Sequence, residues 1–126
     1  MKAKSVKKPK SGLVKETYKD GTLAAVGKYS NGVRTGLWTY YLRNGQLRAK
    51  GKFVKGLFEG AWIWYRENGK PLQMGKFKAN KQVGLWKRFH KTGALMDAGT
   101  YKDGRKTGLW KIYDAKGKLT RTKTYK

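Results

Sequence analysis

Lysine and arginine side chains are interspersed with aromatic side chains along most of this chain, and that combination can bind phosphate groups and bases. The 126 residues hold 31 Lys and Arg against 7 Asp and Glu, which gives a net charge of +24. Such an excess makes a folded protein repel itself unless a polyanion lies nearby. The charge therefore predicts a polyanionic partner, such as a nucleic acid, an acidic protein or an anionic membrane surface.

The candidate polyanion-binding residues are basic side chains within the aromatic segments. They are Lys28, Arg48, Lys50, Lys52, Lys76, Lys87 and Arg88. A candidate aromatic platform, on which bases could stack, consists of Trp38, Trp62, Trp64, Trp86 and Trp110. Tryptophans at recurring positions more often form the hydrophobic core of a sheet than a ligand platform, and both interpretations stay open at this point.

Residues suited to catalysis or metal binding are few and scattered. The chain has one histidine, His90, no cysteine, and acids at unrelated positions. Acid–base chemistry and metal binding both need several such groups to converge on one place. The glycine-containing segment 102–108 lacks the spacing of a phosphate-binding loop. We therefore expect no enzymatic activity, no metal, no cofactor and no small-molecule substrate.

A 24-residue period organises the chain. Shifting the sequence by one period places Gly27 on Gly51, Gly75 and Gly99, and Trp38 on Trp62, without an insertion or deletion. A fixed period predicts a repeat protein in which each unit packs on its neighbours. The predicted repeat domain covers residues 16–126, and its parts are a half repeat 16–26, full repeats 27–50, 51–74, 75–98 and 99–122, and a partial strand 123–126.

The N-terminal segment, residues 1–15, is predicted to be a disordered basic arm, because it is rich in lysine and contains no acid. Its candidate phosphate-contacting residues are Lys2, Lys4, Lys7, Lys8 and Lys10. No apolar run of the kind found in signal peptides follows these lysines, so we expect a cytoplasmic protein.

Each unit has the pattern of two short strands joined by turns. Residues 37–41 are aromatic and β-prone, and residues 47–53 alternate between apolar and polar after the turn at Asn44-Gly45. The chain is therefore predicted to be all-β, a single-layer antiparallel meander of stacked hairpins, elongated and twisted. A longer loop is expected at residues 54–59.

The hairpin turn decides which side chains share a face. A three-residue loop ending on a left-handed glycine suits every unit, whereas a two-residue turn suits only some of them. The favoured three-residue loop pairs Trp38 with Lys50 and Tyr41 with Leu47. It predicts one face with Leu37, Tyr41, Leu47, Gly51 and Phe53, and an opposite face with Trp38, Tyr40, Arg48, Lys50 and Lys52. The two-residue alternative lays Trp38 over Gly51.

The recurring residues carry a family resemblance over roughly residues 16–126. The stretches NGVRTGLWTYYLRNGQLRAKGKF, ANKQVGLWKRFHKTGALMDAGTY and KDGRKTGLWKIYDAKGKLTRTKTY share a G-L-W-x-x-Y/F core followed by x-x-x-G-x-L. This unit resembles the MORN repeat, and more closely the bacterial variant found in YwqK-type antitoxin proteins. The second repeat departs from the pattern with Ala61 for Leu and with Pro71 followed by Leu72, which suggests a local shift of its return strand.

The resemblance implies a curved, twisted antiparallel sheet used as a binding or spacing scaffold. MORN repeats elsewhere are associated with phosphoinositide membranes and with protein partners, and the bacterial variant is usually labelled an antitoxin or immunity protein. Since the recurring residues are structural, the repeat alone assigns none of these roles. Our leading expectation is a non-enzymatic scaffold that binds nucleic acid through backbone charge. The alternatives are an antitoxin or adaptor that binds an acidic protein, and peripheral binding to anionic lipid head groups.

Overall fold

A computed structural model describes residues 11–126 of the chain, which form one ten-stranded antiparallel sheet. The strands follow one another in chain order, each paired with the next. They are β1 (Gly12–Thr17), β2 (Leu23–Ser30), β3 (Val33–Tyr41), β4 (Leu47–Val54), β5 (Leu57–Tyr65), β6 (Pro71–Lys78), β7 (Lys81–Phe89), β8 (Leu95–Lys102), β9 (Arg105–Tyr113) and β10 (Leu119–Tyr125). The predicted all-β meander is confirmed, and residues 11–126 contain no helix.

The sheet begins earlier than the sequence predicted. β1 starts at Gly12 and pairs with β2 from Gly12↔Tyr29 onward. Residues 12–15, assigned above to the disordered arm, therefore belong to the sheet. The arm lysines Lys2, Lys4, Lys7, Lys8 and Lys10 lie outside the described residues.

The turn within each repeat is the three-residue loop that the sequence favoured. In the first full repeat, the Gly45 N–H donates to the Leu42 carbonyl at 2.9 Å, and the Leu42 N–H donates to the Gln46 carbonyl at 2.8 Å. Gly45 has a φ of 88°, so the glycine supplies the left-handed residue that closes a type I turn. The turns at Gly21, Gly69, Gly93 and Gly117 have the same pair of hydrogen bonds.

Beyond this turn the predicted register is wrong. Tyr41 pairs with Leu47 as expected, but Tyr40 then pairs with Ala49, so Arg48 is an extra residue in a β-bulge. The bulge shifts all later pairs by one position and places Trp38 opposite Gly51 rather than Lys50. The second repeat has the same shift at Pro71, so that proline adds no irregularity of its own.

The connection between repeats is a tight turn, not the longer loop expected at residues 54–59. Val54 pairs directly with Leu57, and the two turn residues Lys55 and Gly56 have φ values of 52° and 81°. Positive φ at both central positions defines a type I′ turn, whose twist matches that of the flanking strands. The equivalent turns are Asn31-Gly32, Ala79-Asn80 and Asp103-Gly104.

The core lies on one face of the sheet, where each recurring tryptophan packs on a glycine of the preceding strand. A Cβ atom on Gly51 would lie 2.0 Å from the Trp62 ring, so only glycine leaves room for this indole. The Trp62 indole N–H donates to the Lys52 carbonyl at 3.0 Å, next to a second bulge in the β4–β5 ladder. The same donor contact recurs for Trp38, Trp86 and Trp110.

Aromatic rings from successive repeats fill the space between these tryptophans. Phe53 meets the Trp38 and Trp62 rings edge-on at centroid distances of 6.3 and 5.2 Å. Edge-to-face contacts of this kind contribute beyond simple area burial. We call this side the aromatic face; its recurring residues are Trp38, Trp62, Trp86, Trp110, Tyr29, Phe53, Phe77, Tyr101 and Tyr125.

Candidate polyanion-binding surface

The opposite side of the sheet, here called the lysine face, carries most of the basic side chains that belong to the strands. Strand alternation places them between the aromatic-face residues, with Lys52 opposite Leu37 and Lys50 opposite Thr39. Strand alternation assigns ten lysines to this face: Lys15, Lys28, Lys50, Lys52, Lys76, Lys78, Lys81, Lys87, Lys102 and Lys111. All are exposed except Lys87, which is half-buried.

Acids are nearly absent from the lysine face. Of the acids within residues 11–126, alternation places only Glu59 there, opposite Lys52. The Glu59 carboxylate accepts the Ala79 backbone N–H at 2.9 Å, at the edge of the sheet. The lysines are therefore left without neutralising partners over the centre of this face, which makes it strongly electropositive.

The tryptophans do not join these lysines, and the predicted mixed surface of cations and indoles is wrong. Trp38, Trp62, Trp86 and Trp110 lie on the aromatic face and are only 0–4% exposed. Trp64 is half-buried beside them, with ring centroids 5.7 Å from Trp62 and 6.1 Å from Trp86. The one-residue shift at the Arg48 bulge is the cause, because it moves the indoles to the face opposite the lysines.

Two of the seven candidate cations, Arg48 and Arg88, do not lie on the lysine face. Arg88 lies on the aromatic face, where its Nη2 is 2.6 Å from Oδ2 of the buried Asp97. The hydrogen bonds that Arg88 donates to Asp97 raise the pKa of the Arg88 guanidinium above its ordinary value. Arg48, at the bulge, is exposed and lines a small cleft with Tyr40 and Trp64. Burial raises the pKa of the Tyr40 hydroxyl.

The sequence interpretation missed two kinds of residue on the lysine face. Five lysines of this face were not among its candidates: Lys15, Lys78, Lys81, Lys102 and Lys111. Leu37, Leu85 and Leu109, which the G-L-W pattern marked only as scaffold, are 64, 53 and 53% exposed. Strand alternation would have found them once the Arg48 bulge was known, because each leucine directly precedes a buried tryptophan.

A shallow groove of about 600 Å³ runs across the lysine face between these residues. Its apolar floor includes Leu37, Ile63, Met74 and Leu85. Its charged lining consists of Lys50, Lys76 and Lys87. The face thus combines an apolar floor with a margin of positive charge.

Other titratable side chains, His90 and Arg66, form hydrogen bonds that connect neighbouring repeats. His90 Nε2 donates to the Tyr113 carbonyl at 2.9 Å, which links one repeat to the next at the edge of the sheet. Arg66 donates to the Phe89 carbonyl at the equivalent place. Within residues 11–126, no three His, Cys, Asp or Glu side chains lie close enough together to hold a metal ion. The same residues include no helix long and apolar enough to cross a membrane.

Comparison with known families agrees with the geometry of the repeats. The family model described as the MORN repeat variant matches residues 34–55, 58–79, 82–103 and 106–126. The chain belongs to the MORN repeat variant family. Each MORN match covers a tryptophan-bearing strand, the three-residue turn and the return strand.

No curated protein matches the chain, so the resemblance to YwqK-type antitoxins stays a prediction. Membership in the MORN repeat variant family supports a repeat scaffold and assigns no partner to it. The lysine face is the surface that differs most from an ordinary soluble sheet, and the proposed function rests on it.

Proposed function

We propose that this MORN repeat protein is a non-enzymatic scaffold whose lysine face binds the phosphate backbone of nucleic acid. The observation that carries the proposal is the sorting of charge between the two sides of the sheet. Ten lysines and a single acid share the lysine face among residues 11–126. Such a surface attracts polyanions and releases their counterions on binding.

The spacing of the lysines favours contact with a repeating polyanion. Lys28, Lys52 and Lys76 occupy the same position on β2, β4 and β6. Alternate strands lie roughly 10 Å apart, so these ammonium groups form a row of regularly spaced charges across the sheet. Lysine is a flexible point charge without the fixed fork of arginine, and it suits phosphate contact better than the readout of base edges.

Because the tryptophans are buried, we do not expect nucleic-acid bases to stack on them. A single-strand binding surface usually places exposed aromatic rings beside its basic residues. Here the rings and the lysines lie on opposite sides of the sheet. We therefore expect binding that depends on charge, with little preference for sequence.

Binding to labelled DNA and RNA of mixed sequence, measured by fluorescence anisotropy from about 50 to 200 mM salt, tests this function. The variant Lys28→Gln/Lys52→Gln/Lys76→Gln removes a row of three charges from the lysine face. Its log–log salt slope on duplex DNA should be shallower by about 2.7, because each lost phosphate contact contributes about 0.9. Its affinity should fall at every salt concentration.

A matched variant removes the same charge from a different place. Lys19, Lys91 and Lys116 are exposed residues of the hairpin turns at one edge of the sheet. Lys19→Gln/Lys91→Gln/Lys116→Gln should change the salt slope by less than about 1. Equal losses in the two variants, or no binding by the native protein at about 50 mM salt, would contradict a binding site on the lysine face.

The exposed leucines favour a second candidate, an anionic membrane surface. Leu37, Leu85 and Leu109 stand among the lysines and could enter the head-group region while the lysines contact lipid phosphates. This function predicts co-sedimentation with anionic vesicles but not with neutral ones. Leu37→Ser/Leu85→Ser should abolish the co-sedimentation and leave DNA binding unchanged. A stoichiometric protein complex that survives nuclease treatment would instead favour the adaptor alternative.

A further inference from the structure

A polar depression interrupts the aromatic face between β6 and β9, on the side of the sheet opposite the lysine face. Its volume is about 210 Å³. We call it the polar cup and define it by the side chains of Gln73, Gln82, Arg88, Asp97, Tyr101 and Lys106, which line it together with Trp86 and Trp110. Elsewhere this face is largely aromatic, so the cup needs a physical explanation.

The cup is formed where the repeats depart from one another. One period earlier, the residue equivalent to Gln73 is Ala49, and the residue equivalent to Gln82 is Phe58. The position of Arg88 holds Tyr40 and Trp64 in the two preceding full repeats. Polar groups placed on a core face are costly unless they are paired, and such local departures from a fold's own pattern mark candidate functional sites.

One pair within the cup is satisfied internally. Asp97 is 5% exposed and accepts hydrogen bonds from Arg88 Nε at 3.1 and 3.2 Å and from Arg88 Nη2 at 2.6 Å. This arrangement holds the guanidinium in one orientation and neutralises one of the two positive charges of the cup. Arg88 Nη1 makes no hydrogen bond among the described residues and can still donate.

The remaining polar side chains are free to meet a ligand. Among residues 11–126, Gln73, Gln82 and Lys106 make no side-chain hydrogen bond. Lys106 Nζ lies 4.7 Å from the centre of the Trp110 ring, a contact that leaves its N–H groups available. The cup therefore offers one ammonium group and two amides over an aromatic floor.

From these features we infer that the polar cup binds a small monocarboxylate. Arg88 and Lys106 against Asp97 leave a net charge of about +1 in the cup, which one carboxylate would neutralise. The depression has room for about seven water molecules, which suits a ligand of a few non-hydrogen atoms. Lys106 supplies the charge, and the amide N–H groups of Gln73 and Gln82 donate to the carboxylate oxygens. This site is independent of the nucleic-acid proposal, since it lies on the other face.

Acetate is the probe for the test. The full chain, uniformly labelled with ¹⁵N and treated with nuclease, is titrated with sodium acetate while sodium chloride keeps the ionic strength constant. We expect saturable shifts of the Gln73 and Gln82 side-chain amides and of the Trp86 and Trp110 indole N–H signals. The midpoint should be on the order of 1 mM, because so small a ligand has few atoms with which to bind.

The deciding variant restores the residues of the neighbouring repeat. Gln73→Ala/Gln82→Phe should weaken acetate binding at least tenfold while its thermal unfolding midpoint stays the same or rises. Lys106→Gln provides a second variant that keeps a polar side chain, and it too should weaken binding. Lys52→Gln, on the lysine face, removes the same charge and should leave the acetate titration unchanged.

Three results would overturn the inference. The first is a set of shifts that increase linearly and are the same when chloride replaces acetate. The second is a Gln73→Ala/Gln82→Phe protein that is folded and binds acetate as well as the native protein. The third is tighter binding of inorganic phosphate than of acetate at the same signals, since a dianion would contradict the monocarboxylate class.

Discussion

Single residues in this sheet are constrained by the indole that packs on them. The Gly51 position recurs as Gly27, Gly75 and Gly99, and a Cβ at any of the four would lie within 2.1 Å of a tryptophan ring. The next equivalent position is Lys123 in β10, which among residues 11–126 pairs only with β9 and therefore has no indole of a following strand packed on it. The glycine is thus needed for the contact with the following indole, and not by the strand itself.

Gly51→Ala should lower the free energy of unfolding by about 3 kcal/mol, because the added methyl group overlaps the Trp62 ring. The ring cannot move away without losing its hydrogen bond to the Lys52 carbonyl. Urea unfolding followed by tryptophan fluorescence measures the change. Lys123→Ala is the matched control at the equivalent position and should shift the same free energy by less than about 0.5 kcal/mol. Equal effects would show that the glycine matters for a reason other than the indole.

At the scale of strands and turns, the period and the strand pattern predicted the sheet well, whereas the register could not be obtained from them. The three-residue turn at Gly45 was correctly predicted, because only that loop suits Thr92-Gly93 and Lys116-Gly117 as well. The bulge at Arg48 has no comparable signature in the sequence. The equivalent residues of the other repeats are Leu72, Met96 and Thr120. Their side chains share no chemistry that would indicate an extra residue.

Because the sequence did not predict this bulge, only part of the candidate site could be predicted. Alternation correctly grouped Lys50 with Lys52, because a two-residue spacing survives any shift of register. The relation of these lysines to Trp38 depends on the bulge, and there the prediction was wrong. The polar cup was missed for a related reason. Gln73 and Asp97 come together with Gln82 only when the register across β6, β7 and β8 is known.

The type I′ turn at Ala79-Asn80 contains a residue poorly suited to its backbone. Ala79 has a φ of 48°, which costs a Cβ-bearing residue about 1 kcal/mol unless it is Asn or Asp. Asn31 occupies the equivalent position of the first full repeat with a φ of 51°. Ala79→Asn should therefore raise the free energy of unfolding by about 0.5–1 kcal/mol, as measured by chemical denaturation.

The reverse exchange provides the control for this turn. Asn31→Ala should lower the free energy of unfolding by a similar amount, because it introduces the same unfavourable residue at the same backbone angle. If Ala79→Asn destabilised the protein, the left-handed backbone of residue 79 would not be what limits the stability of this turn.

For the whole molecule, the contacts run mainly between neighbouring strands. Each strand makes its main contacts with the strand before it and the strand after it, from β1 to β10. Stability in such a sheet is close to a sum of repeat and interface contributions, so the number of repeats can change without loss of the fold. Each repeat contributes its own lysines to the lysine face, so adding or removing one repeat should add or remove a set of phosphate contacts.

Deletion of residues 75–98, which joins Met74 to Gly99, should leave a folded protein. Gly99 takes the place of Gly75, so Trp110 can pack on it as Trp86 packed on Gly75. The denaturant m-value should fall by about a fifth, in proportion to the surface removed. The salt slope of DNA binding should become shallower by about 3.6, because four lysines of the lysine face (Lys76, Lys78, Lys81 and Lys87) are lost with the repeat. Circular dichroism, urea unfolding and anisotropy measure the three properties.

Deletion of residues 75–86 alone is the contrasting variant. It removes half a period, so strands that do not match each other become neighbours, and this variant should unfold. A protein that tolerated both deletions equally would not depend on a contact between tryptophan and glycine that recurs every 24 residues.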